Sequence, residues 1–358
     1  MYIYIHIPFC HSICSYCDFP KLLYDKKYTR KYLDALLNEI KTRYQGEKVK
    51  TIYIGGGTPT SLDLEELKML LEITTYFKKN TNIEFSIESN VESLTKEKII
   101  LLKTFGVNRI SLGVQSFQDD TLKELNRHHT KEDVYRIINL IKEVGISNIS
   151  IDYIYGVNSN IEEIKDDIDT FLKLDIPHIS CYSLIIEKNT VFGINNRKYI
   201  EEDYEDAMYQ YIKNTLTSNN YYQYEISNYS KPGFESIHNL NYWNNGSYYA
   251  FGLGAVSYID NNRITNTKNL SKYLNCNYVD NIEYENIDTR ISNTFMLGFR
   301  KTKGINIIDF KNTYQKEITD INPVSKLINE NKLILKDNHL FINPDYLYLS
   351  NEIILEFI

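Results

Sequence analysis

The run HIPFCHSICSYCDF, residues 6–19, places Cys10, Cys14 and Cys17 on one short loop with the spacing C-x3-C-x2-C. Three thiolates are one short of a closed metal site. Structural zinc takes four ligands in a tetrahedron, and a [4Fe–4S] cubane normally takes four cysteines. Three readings of the loop follow. The thiols hold zinc with His6 or His11 as fourth ligand, they are unconnected, or they hold three irons of a cubane and leave the fourth open to a small molecule. Cys181 and Cys276 stand alone, so no second pair at zinc-ribbon spacing exists. An odd cysteine count without a secretory segment speaks against disulfides. The spacing favours the cluster.

Outward from this loop, the first two-thirds of the chain alternate strand and helix. Strands are predicted at Tyr2–Ile7, Thr51–Ile54, Ile83–Glu88, Arg109–Val114, Asn148–Ile154 and His178–Ile185, each rich in Ile, Val, Tyr or Phe. Helical spacing is clearest over Lys131–Val144, where Val134, Ile137, Ile138, Ile141 and Val144 share a face and Thr130 with Asp133 can form a capping box. Alternating strands and helices predict a parallel α/β sheet, and six such units predict a partial (β/α)6 barrel over residues 1–230. Lys231-Pro232-Gly233 reads as a linker turn, followed by a loop-rich stretch through Gly254. Residues 231–358 are expected to form a smaller α+β unit. It ends in helices, a strand at Lys332–Lys336, a turn at Asp337-Asn338, a strand at Leu340–Ile342 and a last helix, a winged-helix-like order.

In a parallel barrel, functional groups gather at the C-terminal ends of the strands. The cysteine loop follows the first strand, and Gly55-Gly56-Gly57-Thr58-Pro59-Thr60 follows the second. Glu88, Gln115 and Asp152 lie at the same end of the next three. A buried polar group without a partner is costly, so three at one end mark a ligand site. The glycines are expected to let the backbone approach a ligand and to offer free N–H groups to a carboxylate. Asp166, Asp167 and Asp169 read as a solvated acidic helix face.

With 358 residues, 42% hydrophobic and 24% charged, the chain is of ordinary globular composition and long enough for two units. A net charge of −7 leaves no basic surplus for nucleic acid. No apolar run is long enough to span a bilayer, and MYIYIHIPF reads as a strand, not a signal peptide. Reactive thiols point to a reducing cytoplasm. The 31 tyrosines are ascribed to base composition.

YIHIPFC-x3-C-x2-C followed by GGGTPT resembles the radical S-adenosylmethionine (SAM) superfamily, in the branch of oxygen-independent coproporphyrinogen III oxidases and HemW-type heme chaperones. The resemblance runs from Tyr2 to the C-terminus. It implies a [4Fe–4S] cluster on Cys10, Cys14 and Cys17, whose open iron is chelated by the amino and carboxylate groups of SAM. Gly56, Gly57 and Thr58 match positions lining the methionine end of SAM. Glu88, Gln115, Arg127 and Asp152 match polar SAM contacts, and Tyr4 and Tyr16 match aromatic ones. Electron transfer from the reduced cluster would cleave SAM to a 5′-deoxyadenosyl radical, fed by an electron donor such as flavodoxin or ferredoxin.

Two features separate the relatives. Phe19 stands where the oxidases carry a further cysteine, and the first strand starts at Tyr2 without their N-terminal extension. His238-Asn239-Leu240-Asn241-Tyr242-Trp243 resembles the signature of the heme chaperones. A histidine can ligate heme iron, so His238 is the expected heme ligand, with His6, His128 or His129 as substitutes and Tyr242 and Trp243 stacking on the macrocycle. Val256 and Asn293 depart from the commoner His and Glu of the family. The resemblance thus implies a chaperone that binds heme and passes it to an acceptor protein. The alternative is oxidative decarboxylation of coproporphyrinogen III.

Overall fold

A computed structural model describes residues 1–358. The chain begins with β1 (Tyr2–Ile7), the two-residue strands β2 (Phe9–Cys10) and β3 (Leu22–Leu23), then β4 (Val49–Gly56), β5 (Lys79–Asn90), β6 (Arg109–Gln115), β7 (Asn148–Tyr155) and β8 (His178–Ser183). β9 (Tyr222–Gln223), β10 (Asn228–Ser230) and β11 (Tyr249–Phe251) follow. The main sheet has the order β11-β1-β4-β5-β6-β7-β8-β10-β9. Its six central strands are parallel neighbours in sequence order, each joined to the next by a helical crossover. The edge strands β11 and β9 do not pair with each other, so the barrel is incomplete.

Period-two alternation explains how the sheet is clothed. One face carries Ile3, Ile5, Ile52, Ile54, Phe85, Ile87, Ile110, Leu112, Ile149, Ile151 and Ile179, all at most 1% exposed, in one core with the crossover helices. The other face is polar: Tyr4, His6, Thr51, Tyr53, Glu84, Glu88, Ser111, Asp152 and His178 bond to one another and to inserted loops. The helix Lys131–Glu143 carries the expected Thr130–Asp133 capping box.

Three expectations shift. β8 stops at Ser183, because Ile185 is 63% exposed and outside the ladder. The stretch read as loop-rich holds the seven-residue helix Ile237–Trp243 and the strand β11, both too short to show a period. β11 pairs parallel with β1, and Tyr273 and Tyr278 join the main core, so the large hydrophobic core extends well past Lys231. A hairpin sheet of β12 (Val256–Ile259), β13 (Asn262–Asn266) and β14 (Val279–Tyr284) lies against this edge.

A second core runs from Ile291 to Phe357 around Phe295, Phe299, Phe310 and Phe357. It is built from helices and a three-stranded sheet of β15 (Ile305–Asn306), β16 (Leu333–Lys336) and β17 (His339–Ile342), in the order β15-β17-β16. No helix is long and apolar enough to cross a membrane.

Candidate functional site

The cysteine loop is held on several sides. Cys10 ends β2, where Tyr24 N–H donates to its carbonyl at 2.8 Å and Thr58 N–H to the Phe9 carbonyl at 2.8 Å. Asn126 donates to the Ile13 carbonyl at 2.8 Å, Ser15 N–H to the Leu125 carbonyl at 3.2 Å, and Phe192 N–H to the Ser15 carbonyl at 3.0 Å. The loop therefore rests on segments following β4, β6 and β8, at the C-terminal ends of the strands.

All three thiols are free. Thr58 Oγ1 lies 3.6 Å from Cys10 Sγ, and Arg127 Nη1 lies 3.5 Å from Cys14 Sγ. Burial pushes the Cys10 thiol up to about 11, and the neighbouring Cys17 and Cys14 sulfurs push the same way. No three His, Cys, Asp or Glu side chains are set as ligands of a single ion. His6 is unavailable as a fourth zinc ligand or a heme ligand, because its Nδ1 meets Tyr4 Oη at 3.0 Å and its Nε2 meets the Pro20 carbonyl at 2.9 Å. His11 packs against the Tyr24 ring.

The glycine turn corrects one expectation. Its N–H groups are not free: Gly56 donates to Glu88 Oε2 at 2.9 Å, Gly57 to the Ile7 carbonyl at 2.8 Å, and Thr58 as above. What the turn needs is space. Gly56 has φ +113°, and a Cβ there would stand 2.5 Å from the His6 ring; at Gly57 it would meet Cys10 Sγ at 2.9 Å.

Glu88 accepts from Gly56 N–H and from Tyr53 Oη at 2.9 Å. Burial raises its carboxyl to about 7, and the neighbouring Asp152 charge adds to the rise while the two hydrogen bonds oppose it. Asp152 is also held up by burial, against a hydroxyl bond from Ser111 at 3.2 Å. Gln115 ends β6 at a register shift, with φ +71°, the backbone of a bulge that re-aims a side chain. A Cβ on Gly113 would stand 3.1 Å from Gln115 Nε2, 3.2 Å from Asn90 Oδ1 and 3.6 Å from Arg127 Nη2, so those three groups converge over one glycine.

Arg127 is buried. Its Nη2 donates to the Gly113 carbonyl and faces Glu92 at 3.7 Å. Glu92 also faces His129 Nδ1 at 3.6 Å. Burial works to raise the Glu92 carboxyl, but His129 and Arg127 outweigh it and hold the group down at about 2. The sequence reading missed Glu92, along with Tyr53 and Asn90. Tyr53 and Asn90 continue the polar alternation of β4 and β5, a signal legible beforehand; Glu92 lies in the following turn and carried none.

Asp167 also departs from expectation. It is 1% exposed and accepts from Ser116 Oγ and Gln118 Nε2 at 2.8 Å, fixing the loop after Gln115.

The structure sets His238 apart from the cluster end. It is 1% exposed, near the N-terminal end of β4. Its Nδ1 meets Thr51 Oγ1 at 2.7 Å, its Nε2 meets Tyr242 Oη at 2.8 Å, and its ring stacks on Tyr53 at 5.1 Å. Burial pulls the imidazole down to about 3. With both nitrogens engaged, His238 anchors the helix Ile237–Trp243 in the barrel and offers no lone pair to iron. Glu84 secures the same helix by accepting the Ile237 and His238 N–H groups at 2.9 Å. His128 is exposed, and His129 is buried with neither ring nitrogen hydrogen-bonded.

Comparison with known proteins bears on the family and the fold. The profile of the radical SAM superfamily matches residues 4–171. The chain is similar to the heme chaperone HemW of Lactococcus lactis, with 36% identity over 99% of this chain and 96% of that one, and to that of Bacillus subtilis, with 37% over 98% and 97%. Among solved structures, coproporphyrinogen III oxidase (HemN) from Escherichia coli superposes with a TM-score of 0.87 at 21% identity, over 99% of this chain and 89% of that one, a likeness of fold. Identity of this extent along nearly the whole chain means that it belongs to the HemW family within the radical SAM superfamily.

Proposed function

We propose that the chain is a heme chaperone that holds a [4Fe–4S] cluster and SAM at the C-terminal mouth of its barrel and passes heme to an acceptor protein. The carrying observation is convergence: three free thiols, Arg127, Glu88, Asp152 and Gln115 share one strand end. The thiols fit the cluster. They crowd one loop, and the Cys17 and Cys14 sulfurs add to the burial that raises the Cys10 thiol. A cationic iron core relieves that repulsion, and a cubane takes each thiolate on a different iron. Cys10, Cys14 and Cys17 would hold it. When bound, it supplies one-electron chemistry and an open iron for the amino and carboxylate groups of SAM.

The remaining roles belong to the protein. Arg127 sets a fixed positive charge against Cys14 and the ligand space over Gly113. Glu88, on its Tyr53 and Gly56 bonds, and Asp152 offer carboxylates to the cationic and hydroxyl-bearing parts of SAM. Tyr4 and Tyr16 would wall the space, and Thr58 keeps its hydroxyl on Cys10. An electron donor of the flavodoxin or ferredoxin kind would reduce the cluster in a reducing cytoplasm. Heme as the cargo follows from the likeness to heme chaperones, and His238, with both ring nitrogens engaged, is not the iron ligand in this reading.

The test is anaerobic reconstitution with iron, sulfide, SAM and heme. The protein should develop a Soret band and deliver heme to a heme-free acceptor without consuming coproporphyrinogen III. Conversion of coproporphyrinogen III to protoporphyrinogen IX with SAM consumed in step would replace the chaperone by the oxidase.

A further inference from the structure

A cleft of about 420 Å³ opens where the helix Ile237–Trp243 meets the second hydrophobic core. That size is within the range of small-ligand pockets. Its polar groups are mismatched in one direction. Trp243 Nε1 and Arg290 Nε are buried donors without partners, and neither group can accept a hydrogen bond. Lys301 reaches into the same cleft and bonds only the neutral Asn244 side-chain oxygen. Burial brings its ammonium down to about 8, and Lys303 adds to the fall while Asp309 opposes it without outweighing it. The Arg290 guanidinium lies over the Tyr314 ring, 5.5 Å from its centre. Asp309 is the one acidic side chain of the lining.

Two buried donors without acceptors, in one cleft with a cation bonded only to a neutral oxygen, call for an anion, and a planar guanidinium suits a carboxylate. We propose that this cleft binds a carboxylate-bearing ligand, clamped by Arg290, Lys301 and the Trp243 indole N–H. The carboxylate comes from the propionate edge of heme, and in that choice of source the proposal rests on the functional reading above. A small organic acid carries the same chemistry, and the test separates the two. The site lies beside the helix that His238 anchors, so it gives the HNLNYW segment a role in binding without iron ligation.

Trp243 is the only tryptophan, so intrinsic fluorescence reports on this cleft directly. The cluster-loaded protein is titrated with heme, with heme dimethyl ester and with succinate. Heme should quench saturably. Arg290→Gln and Lys301→Gln should each weaken heme about tenfold, with unchanged circular dichroism. The dimethyl ester should bind the unaltered protein about tenfold more weakly than heme does and be indifferent to both substitutions. Should either variant fail to fold, Arg290→Lys and Lys301→Arg replace it and should keep most of the affinity. Equal binding of heme and its ester, with heme affinity unmoved in the variants, overturns the site and leaves heme binding intact. Succinate shifting Trp243 emission through Arg290 while heme does not bind keeps the anion site and removes heme as its source. No response of Trp243 to heme or succinate overturns the site.

Discussion

Glu88 offers the sharpest single perturbation, because its burial and its expected role pull on different measurements. Its carboxyl is raised from 4.5 to about 7, first by burial and then by Asp152. An acid whose folded pKa lies above its unfolded value binds more protons when folded, so it lowers stability as pH rises. The penalty is absent below about 4.5, grows through the interval and is complete above about 7. A rise of this size corresponds to roughly 3 kcal/mol at pH 8, at 1.36 kcal/mol per unit, most of it appearing between pH 5 and 8. Glu88→Gln keeps the shape and an acceptor for Gly56 N–H or Tyr53 Oη but cannot ionise. In anaerobic urea unfolding of the cluster-free protein, the variant should match or slightly trail the parent at pH 5 and gain on it by roughly 2–3 kcal/mol at pH 8. Asp167 and Glu225 also have raised carboxyls, but they are common to both proteins and cancel in the difference. SAM affinity should move the other way, falling by roughly 1.5–3 kcal/mol for one lost charge-assisted bond. Parallel pH profiles for the two proteins would refute the electrostatic reasoning. Undiminished SAM binding by the variant would remove Glu88 from the site.

Cys14→Ala should hold far fewer than the about four irons per chain expected of the reconstituted parent, read by iron analysis; an intact cluster would sink the assignment. Glu92→Gln removes the charge that faces Arg127 and His129, and should weaken SAM binding by about 1–2 kcal/mol while sparing iron content; calorimetry showing no change would leave Glu92 a surface residue. His238→Ala strands the Thr51 and Tyr242 hydroxyls and opens a cavity. It should cost about 2–4 kcal/mol of stability in denaturant unfolding with heme affinity preserved, and loss of the Soret band without loss of stability would reinstate His238 as an iron ligand.

The six parallel strands were legible because alternation and apolar content coincide in each, and the strand-end polar residues were legible because they interrupt that content. The cysteine spacing needed no fold at all. Less visible was anything depending on distant chain. His238 carries a sequence signature that reads as a heme ligand, and the Thr51 and Tyr242 bonds speak for an anchor instead, the first of them from a distant part of the chain. The GGG turn suggested free N–H groups, yet Glu88 and the Ile7 carbonyl, far apart in sequence, already occupy two of them. Asp167 shares its acidic helix with Asp166, and burial under the loop after β6 is what separates their characters. Edge strands of two or three residues have no period to read.

β11 bears on the order of events during synthesis. Ile3 pairs with Thr51's neighbour Ile52 on one side and with Tyr249 on the other. β1 thus keeps one flank open until some 250 further residues have been made, a long-range closure of the kind that slows folding. Throughout that interval it is an unpaired edge, the feature that invites association with other chains. The cysteine loop hangs directly from this strand. The loop's own supports follow β4, β6 and β8, the last of them Phe192, so the seat of the cysteines is finished long after the cysteines themselves are made.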